Sequence, residues 1–108
     1  MKVYIATPVN GRPEKTFEEK RQAAYERIQY LMSISRPSHW EPVSSFDVCP
    51  LNEDISEAEA MGRCIRLLMT CDAILVDRYL PIEHSKGVLL EIRCAKLYGI
   101  KIIERSVY

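Results

Sequence analysis

The sequence predicts an α/β domain in which helices cover both faces of a short parallel sheet of four to five strands. Short apolar stretches that suit strands alternate along the chain with longer stretches of helical periodicity. Strands that alternate with helices in this way pair in parallel through crossover connections. The chain has 108 residues, enough for one core, and no internal repeat or linker divides it. We therefore expect a single domain over residues 1–108.

The first predicted strand covers residues 3–6 and is followed by the turn signal Asn10-Gly11. A helix is predicted next, from about residue 13 to residue 32. Two starts fit this helix, because Pro13 suits a first helical position while Thr16 and Glu19 fit a capping box. The expected apolar stripe on this helix consists of Phe17, Ala24, Ile28, Leu31 and Met32.

The middle of the chain is predicted to be irregular over residues 35–50, with one short strand near residues 42–45. A second helix is predicted from Ser56, which forms a capping box with Glu59, to about residue 70. Arg63 and Arg66 are expected on its exposed face. The side chains expected on its buried face are Ala58, Met61, Ile65 and Leu68.

The last third contains a predicted strand at residues 72–77, a helix at residues 85–98 that ends at Gly99, and a strand at residues 100–104. In parallel α/β sheets, ligands bind beyond the carboxyl ends of the strands. The loops at residues 7–12 and 77–87 both leave the sheet at that edge. We therefore expect them to face each other across a cleft.

Glu91 is the side chain in this sequence that most strongly indicates a site. At about 100° per residue, Glu91 shares a helix face with Gly87, Val88, Cys94, Ala95 and Tyr98, while Lys86 and Arg93 point nearly the opposite way. No cation of its own helix can therefore pair with it. Loss of hydration among apolar neighbours raises a carboxyl pKa, and such groups occur at functional sites as well as at structural ones. The alternative is a carboxylate that binds a backbone N–H or a tyrosine at a subunit contact.

Composition excludes several classes of function. Fifteen basic residues balance fifteen acidic ones, so no overall field attracts a nucleic acid polymer or a membrane surface. No apolar run is long enough to span a membrane, and the first residues suit a strand better than a signal peptide. We expect a cytoplasmic protein without a cofactor.

The four cysteines are expected to be reduced and mostly buried. No two of them have CxxC spacing; they are Cys49, Cys64, Cys71 and Cys94. The two histidines, His39 and His84, lie in separate loops. No metal site is therefore predicted.

Three motifs in this order resemble the nucleoside 2-deoxyribosyltransferase superfamily, especially its small, functionally uncharacterised bacterial and phage branch. They are residues 3–8 with Asn10-Gly11-Arg12, residues 71–76, and Ser85-x-Gly87-x-x-x-Glu91 with Ala95 and Gly99. The resemblance covers essentially the whole chain. It implies a flavodoxin-like three-layer sandwich.

The resemblance also implies an activity and a set of site residues. Enzymes of this superfamily cleave or exchange the N-glycosidic bond of 2′-deoxynucleosides or their 5′-monophosphates, which suggests a nucleoside deoxyribosyltransferase or a deoxynucleotide N-glycosidase. Glu91 matches the nucleophile and Tyr4 matches a tyrosine that positions it. Ser85 and Gly87 match groups that contact the 5′-phosphate in the relatives that use it.

One departure from the family pattern opens an alternative function. The enzymes have an aspartate that assists the departing base, and Cys64 stands at the matching position. Retaining glycosidases use two carboxyl groups about 5 Å apart, and Asp77 or Glu83 are candidates to replace the lost one. The alternative is a non-catalytic nucleotide-binding module.

Other candidate site residues also have ordinary structural interpretations. Tyr4 suits a core aromatic, Ser85 a helix cap, and Gly87 helix packing. Asn10, Gly11 and Arg12 suit a plain turn, although an arginine beside a helix start can also bind a phosphate or carboxylate. His39 and Trp40 suit either a lid that stacks on a base or an ordinary surface loop.

The last predicted helix has apolar side chains on its outer face as well as on its inner one. Leu89, Leu90 and Leu97 share the face of Lys86 and Arg93. A helix that is apolar nearly all round is buried on more than one side. We therefore expect a homo-oligomer, and the resemblance implies that it binds a small nucleoside or nucleotide.

Overall fold

A computed structural model describes residues 1–34 and 37–105, and all statements below concern these residues. Residues 35 and 36 of the predicted irregular segment, and residues 106–108 of the predicted domain, lie outside them. The strands are β1 (Lys2–Ala6), β2 (Glu41–Ser44), β3 (Ala73–Asp77) and β4 (Lys101–Arg105). The α-helices are α1 (Phe17–Ser33), α2 (Glu57–Leu68) and α3 (Lys86–Leu97), and a 3₁₀ helix, Ser45–Asp47, follows β2.

The four strands form one sheet in the order β2-β1-β3-β4, and every neighbouring pair is parallel. Tyr4 in the middle of β1 stands beside Val43 of β2 and Ile74 of β3. The connection that follows β1 leads to β2 on one side of it, whereas the connection that follows β3 leads to β4 on the other side. The two connections therefore diverge at the carboxyl ends of β1 and β3. This divergence is where open α/β sheets bind ligands.

The sheet is covered on both faces, as the sequence predicts for a flavodoxin-like three-layer sandwich. Because side chains alternate along a strand, odd-numbered positions of β1 and β3 pack on α1, in a cluster that contains Val3, Ile28 and Leu75. Even-numbered positions pack on α2 and α3, in a cluster that contains Tyr4, Leu68 and Val88. The fold class is therefore confirmed.

The helix starts follow the capping signals in the sequence. Thr16 Oγ1 accepts from the Glu19 N–H at 3.1 Å and donates to the Glu19 carboxylate at 2.9 Å, so α1 begins at Phe17 and not at Pro13. Ser56 Oγ accepts from the Glu59 N–H at 3.2 Å at the start of α2. Each cap satisfies an N–H that has no partner within its helix.

Several expected positions differ in the structure. Phe17 is 61% exposed, because it stands in the first turn of α1, beyond the part of the helix that crosses the sheet. Ala58 is exposed because it also stands in the first turn of its helix, α2. Tyr98 is 71% exposed because it lies beyond the last residue of α3. Trp40 packs on the α1 side of the sheet beneath the Arg105 guanidinium, which excludes it as a lid over the predicted cleft.

Three of the four cysteines, Cys49, Cys64 and Cys71, are buried, and all four are free thiols. No helix among the described residues has the length and apolar character needed to cross a membrane. The outer face of α3 exposes Leu89, Leu90 and Leu97, whose exposed fractions are 43%, 38% and 75%.

Candidate active site

A cavity of about 980 Å³ opens at the carboxyl end of β1. Ligand sites in proteins are typically about 300–1,000 Å³, so a nucleoside fits within it. Its floor includes residues of β1 and α3, and its walls come from the first turns of α1 and α2, the 3₁₀ helix and the segment at residues 49–55. The cavity therefore lies at the edge of the sheet where the sequence predicts a cleft.

Glu91 lies in the floor of this cavity and is 6% exposed. The spacing of α3 turns Val88, Glu91 and Ala95 inward together, so the carboxyl group sits among apolar side chains. None of the salt bridges found among residues 1–34 and 37–105 includes Glu91. Burial raises its pKa to about 7, although a hydrogen bond from Tyr4 acts in the opposite direction.

Tyr4 is 1% exposed and its hydroxyl interacts with both the Glu91 carboxylate and the Cys64 thiol. Burial, together with the negative charge of Glu91, raises the Tyr4 pKa well above its usual value. Burial and the same charge raise the pKa of Cys64 to about 12. Both groups are therefore protonated at neutral pH and are weak acids.

Neither carboxylate suggested as a substitute for the missing aspartate reaches the cavity. Asp77 accepts from Arg27 Nε at 2.8 Å and Arg27 Nη2 at 2.9 Å, and from the Thr7 hydroxyl at 2.9 Å. Burial alone favours the neutral form of Asp77, but these hydrogen bonds outweigh it and lower the pKa. Glu83 is exposed and does not line the cavity. Asp77 is thus a fixed anion in a structural ion pair.

Arg12 is also held away from the cavity. Its Nε donates to the Pro8 carbonyl oxygen at 2.6 Å and its Nη2 donates to the Thr7 hydroxyl at 3.0 Å. Burial lowers the pKa of Arg12, against the effect of nearby carboxylates. Arg12 therefore braces the loop after β1, and direct contact with a ligand in this cavity does not fit its position.

The structure brings five of the seven predicted site residues together. Tyr4, Asn10, Ser85, Gly87 and Glu91 line the cavity, whereas Gly11 and Arg12 do not. Gly11 has a φ of +89°, which an L-residue rarely adopts, so a turn explains this glycine.

Ser85 Oγ accepts from the Val88 N–H at 3.4 Å and so caps α3. Ser85 therefore has the structural role of a helix cap as well as its place in the cavity lining.

Comparison with known proteins gives a family. The chain matches the family described as a domain of unknown function (DUF4406) over residues 1–104. It belongs to the DUF4406 family. No curated protein matches this DUF4406 chain significantly.

Among solved structures, the DUF4406 chain is similar to the 2-desoxiribosyltransferase from Leishmania mexicana, with a TM-score of 0.62 and 22% sequence identity. The match covers 95% of this chain and 62% of that chain, so the DUF4406 protein spans less than two thirds of its neighbour's length. At this identity the likeness concerns the fold. Membership of the deoxyribosyltransferase superfamily, and of its bacterial and phage branch, stays a prediction.

Sequence reasoning missed much of the cavity wall of this DUF4406 protein. The first turns of α1 place Phe17, Glu18, Arg21 and Gln22 in the lining. The helical periodicity assigns Phe17 to the apolar stripe of this helix, and no sequence motif marks Glu18, Arg21 or Gln22 as site residues. The segment after β2 and the start of α2 add further lining residues, including Cys49, Glu53, Asp54 and Glu57.

Proposed function

We propose that this DUF4406 protein binds a nucleoside or nucleotide in the cavity and cleaves its N-glycosidic bond, with Glu91 as the nucleophile. One observation carries the proposal: a carboxyl group that is 6% exposed and outside the salt bridges described above lies in the floor of a cavity that fits a nucleoside. The fold shared with a protein described as a 2-desoxiribosyltransferase supports this reaction class.

In the proposed reaction, Glu91 attacks the anomeric carbon and forms a glycosyl ester as the base departs. A second base or water then takes the sugar and restores the carboxylate. A pKa of about 7 leaves a substantial ionised fraction of Glu91 at neutral pH. Tyr4 donates to this carboxylate and so orients it toward the cavity.

Ser85, Gly87 and Asn10 are the proposed substrate-binding residues. Gly87 carries no side chain, so a ligand can approach the backbone at the start of α3. The Met61 methyl group lies 3.2 Å from where a Gly87 Cβ would stand, so this side chain must move if a phosphate is to reach the backbone.

A second candidate function is a non-catalytic nucleotide-binding module. The observation that favours it is the neutral Cys64 thiol at the position where the enzymes of the resembling superfamily have an assisting aspartate. A thiol with a pKa of about 12 is a poor proton donor to a departing base.

The deciding experiment is incubation with 2′-deoxynucleosides and their 5′-monophosphates, with free base measured by chromatography. We expect release by the wild type and by Glu41→Gln, a change at an exposed carboxylate outside the cavity. We expect none from Glu91→Ala or Glu91→Gln. Absence of release by the wild type from every nucleoside offered, whatever the charge of its base, or equal release by the Glu91 variants, contradicts the catalytic proposal.

A matched pair of variants separates the two candidate functions. Cys64→Asp supplies a carboxyl group beside Glu91, whereas Cys64→Ser supplies only a hydroxyl. If the wild type is a binding module, Cys64→Asp alone creates or raises base release. If calorimetry detects no binding of nucleosides or nucleotides to the wild type, the result counts against both functions.

We also propose that the exposed face of α3 contacts a second copy of the chain, because Leu97 is 75% exposed beside Leu89 and Leu90. Light scattering during gel filtration gives the mass. A monomer at high concentration contradicts this proposal, and Leu97→Glu is the variant expected to dissociate the oligomer.

A further inference from the structure

We propose that the cavity selects nucleosides whose base already carries a positive charge, such as those of N-alkylated purines or pyridinium rings. The inference rests on the proposed function and adds the substrate class. It stands on the proton donors around Glu91, on the charge of the cavity wall, and on one exposed aromatic ring.

The first argument concerns the departing base. A neutral purine or pyrimidine leaves as an anion unless a nearby acid protonates it, and such acid catalysis contributes about 10²–10⁴-fold. Tyr4 and Cys64 both interact with Glu91, and both hold their protons tightly. Asp77 is committed to Arg27 at 2.8 Å. A cationic base needs no such donor, because it leaves as a neutral molecule.

The bonding changes balance without an acid. The Glu91 carboxylate forms an ester bond to C1′ while the C1′–N bond breaks, and the electron pair of that bond neutralises the positive ring nitrogen. Water then attacks C1′ of the ester, which releases the sugar, the carboxylate and one proton to solvent. The products are the neutral base, the free sugar and that proton.

The second argument is the charge of the cavity lining. Among the residues that the structure describes, five carboxylates line the cavity together with one cationic side chain, Arg21. The Arg21 guanidinium donates to the carbonyl oxygens of Cys49 at 3.3 Å and Pro50 at 3.2 Å. Glu53 pairs with Arg63 at 3.3 Å, outside the cavity lining. Within residues 1–34 and 37–105, no salt bridge includes the lining carboxylates Glu18, Asp54, Glu57 and Glu91.

The third argument is Phe17, an aromatic ring that is 61% exposed and lines the cavity. Aromatic faces attract cations through the ring quadrupole. A cationic base that stacks on Phe17 lies close to Glu18, the next residue of the same helix turn, which also lines the cavity. The wall therefore offers a positively charged ring both a stacking surface and opposite charge.

Hydrolysis is tested with 7-methyl-2′-deoxyguanosine and nicotinamide 2′-deoxyriboside, each against a neutral partner: 2′-deoxyguanosine and the dihydronicotinamide nucleoside. After subtraction of the spontaneous rate, we expect each cationic substrate to be cleaved at least about 100-fold faster than its neutral partner. This factor is the lower end of the rate enhancement that acid catalysis provides. If only one of the two cationic nucleosides is cleaved, that result identifies the substrate class as either N-alkylated purine nucleosides or pyridinium nucleosides. Equal or faster cleavage of the neutral partners, or no enzymatic cleavage of either cation, overturns the inference.

Binding separates cavity selection from the intrinsic reactivity of cationic nucleosides. Calorimetry on Glu91→Gln, which cannot form the ester, is expected to give tighter binding of 7-methyl-2′-deoxyguanosine than of 2′-deoxyguanosine at low salt. The preference should shrink in high salt and in Phe17→Leu, but not in Glu41→Gln. Equal affinities overturn the inference.

The two proposals fail in different ways. Glu91-dependent cleavage of neutral nucleosides at equal or higher rates removes the inference and leaves the proposed function intact. If no nucleoside of either charge binds or is cleaved, both are removed.

Discussion

Arg27 on α1 and Asp77 at the end of β3 form a buried bidentate salt bridge, with Nε–Oδ2 and Nη2–Oδ1 distances of 2.8 and 2.9 Å. Their side chains are 9% and 2% exposed. The Arg27 guanidinium also lies 4.5 Å from the centre of the Tyr79 ring. The pair fixes α1 to the carboxyl end of the sheet and keeps Asp77 out of the cavity that Glu91 lines.

Asp77→Ala should destabilise the protein by about 3–5 kcal/mol, because it removes the carboxylate that forms the buried bidentate salt bridge with Arg27. Urea unfolding followed by circular dichroism measures the free energy of unfolding. The matched control is Glu104→Ala, which breaks the more exposed 3.4 Å pair with Arg78 and should cost less than about 1 kcal/mol. Equal costs for the two variants would refute a structural role for the Arg27–Asp77 pair.

Stability should fall as pH rises from about 4.5 to about 7, because burial raises the pKa of Glu91 in the folded protein. The folded state then binds this proton more strongly than the unfolded state does. The resulting contribution of Glu91 to the free energy of unfolding is fully present at low pH, and it is lost as pH rises through the pKa of the folded state. A difference of one in pKa corresponds to about 1.4 kcal/mol, so the loss amounts to about 3 kcal/mol.

Glu91→Gln tests this dependence, since glutamine does not titrate. Unfolding free energies of the two proteins should agree near pH 4.5 and separate in favour of the variant by pH 8. Parallel curves for wild type and variant across this range would show that Glu91 does not titrate in the way that its burial predicts.

Tyr4→Phe should raise the pKa of Glu91 further, because the hydrogen bond from Tyr4 favours the ionised carboxylate. A carbon-13 NMR titration of the Glu91 carboxyl group measures this pKa directly. Base release, where present, should shift to higher pH by the same amount. Tyr25→Phe is the control, since Tyr25 packs edge-on against Phe46 at 5.4 Å and has no interaction with Glu91. An unchanged Glu91 pKa in Tyr4→Phe would exclude the positioning role.

Gly87→Ala should weaken nucleoside binding while changing stability by less than about 1 kcal/mol. The added methyl group meets the flexible end of Met61 at 3.2 Å and occupies the approach to the start of α3. Gly62→Ala is the matched control, because Gly62 is also helical, meets only the end of Arg66 at 3.4 Å and does not line the cavity. Calorimetry gives both affinities, and equal binding by the two variants would assign Gly87 to packing alone.

Local signals predicted the elements of this fold because those signals act over a few residues. Thr16, Ser56 and Ser85 cap the three α-helices through contacts three positions away, and Gly99 ends α3 with a φ of +70°. The strands are short apolar stretches between such signals. Their alternation with the helices was sufficient to predict the parallel sheet.

The walls of the cavity depend on contacts between distant parts of the chain. Arg12 carries a good anion-binding group, but its side chain turns to the Pro8 carbonyl and Thr7. Asp77 meets Arg27 across 50 positions of sequence. Phe17 follows a strong cap and was expected in the core, yet the first turn of α1 projects past the sheet. No periodicity within a single element contains this information.

The sequence by itself determined the α/β class, the helix caps and the inward direction of Glu91, because each depends on the geometry of one helix or strand. Only the tertiary structure decided that Cys64 and Tyr4 stand beside that carboxylate, and that the cavity wall is acidic. Those properties arise where β1, α1, α2 and α3 meet, and the relative positions of packed elements are set by the whole core.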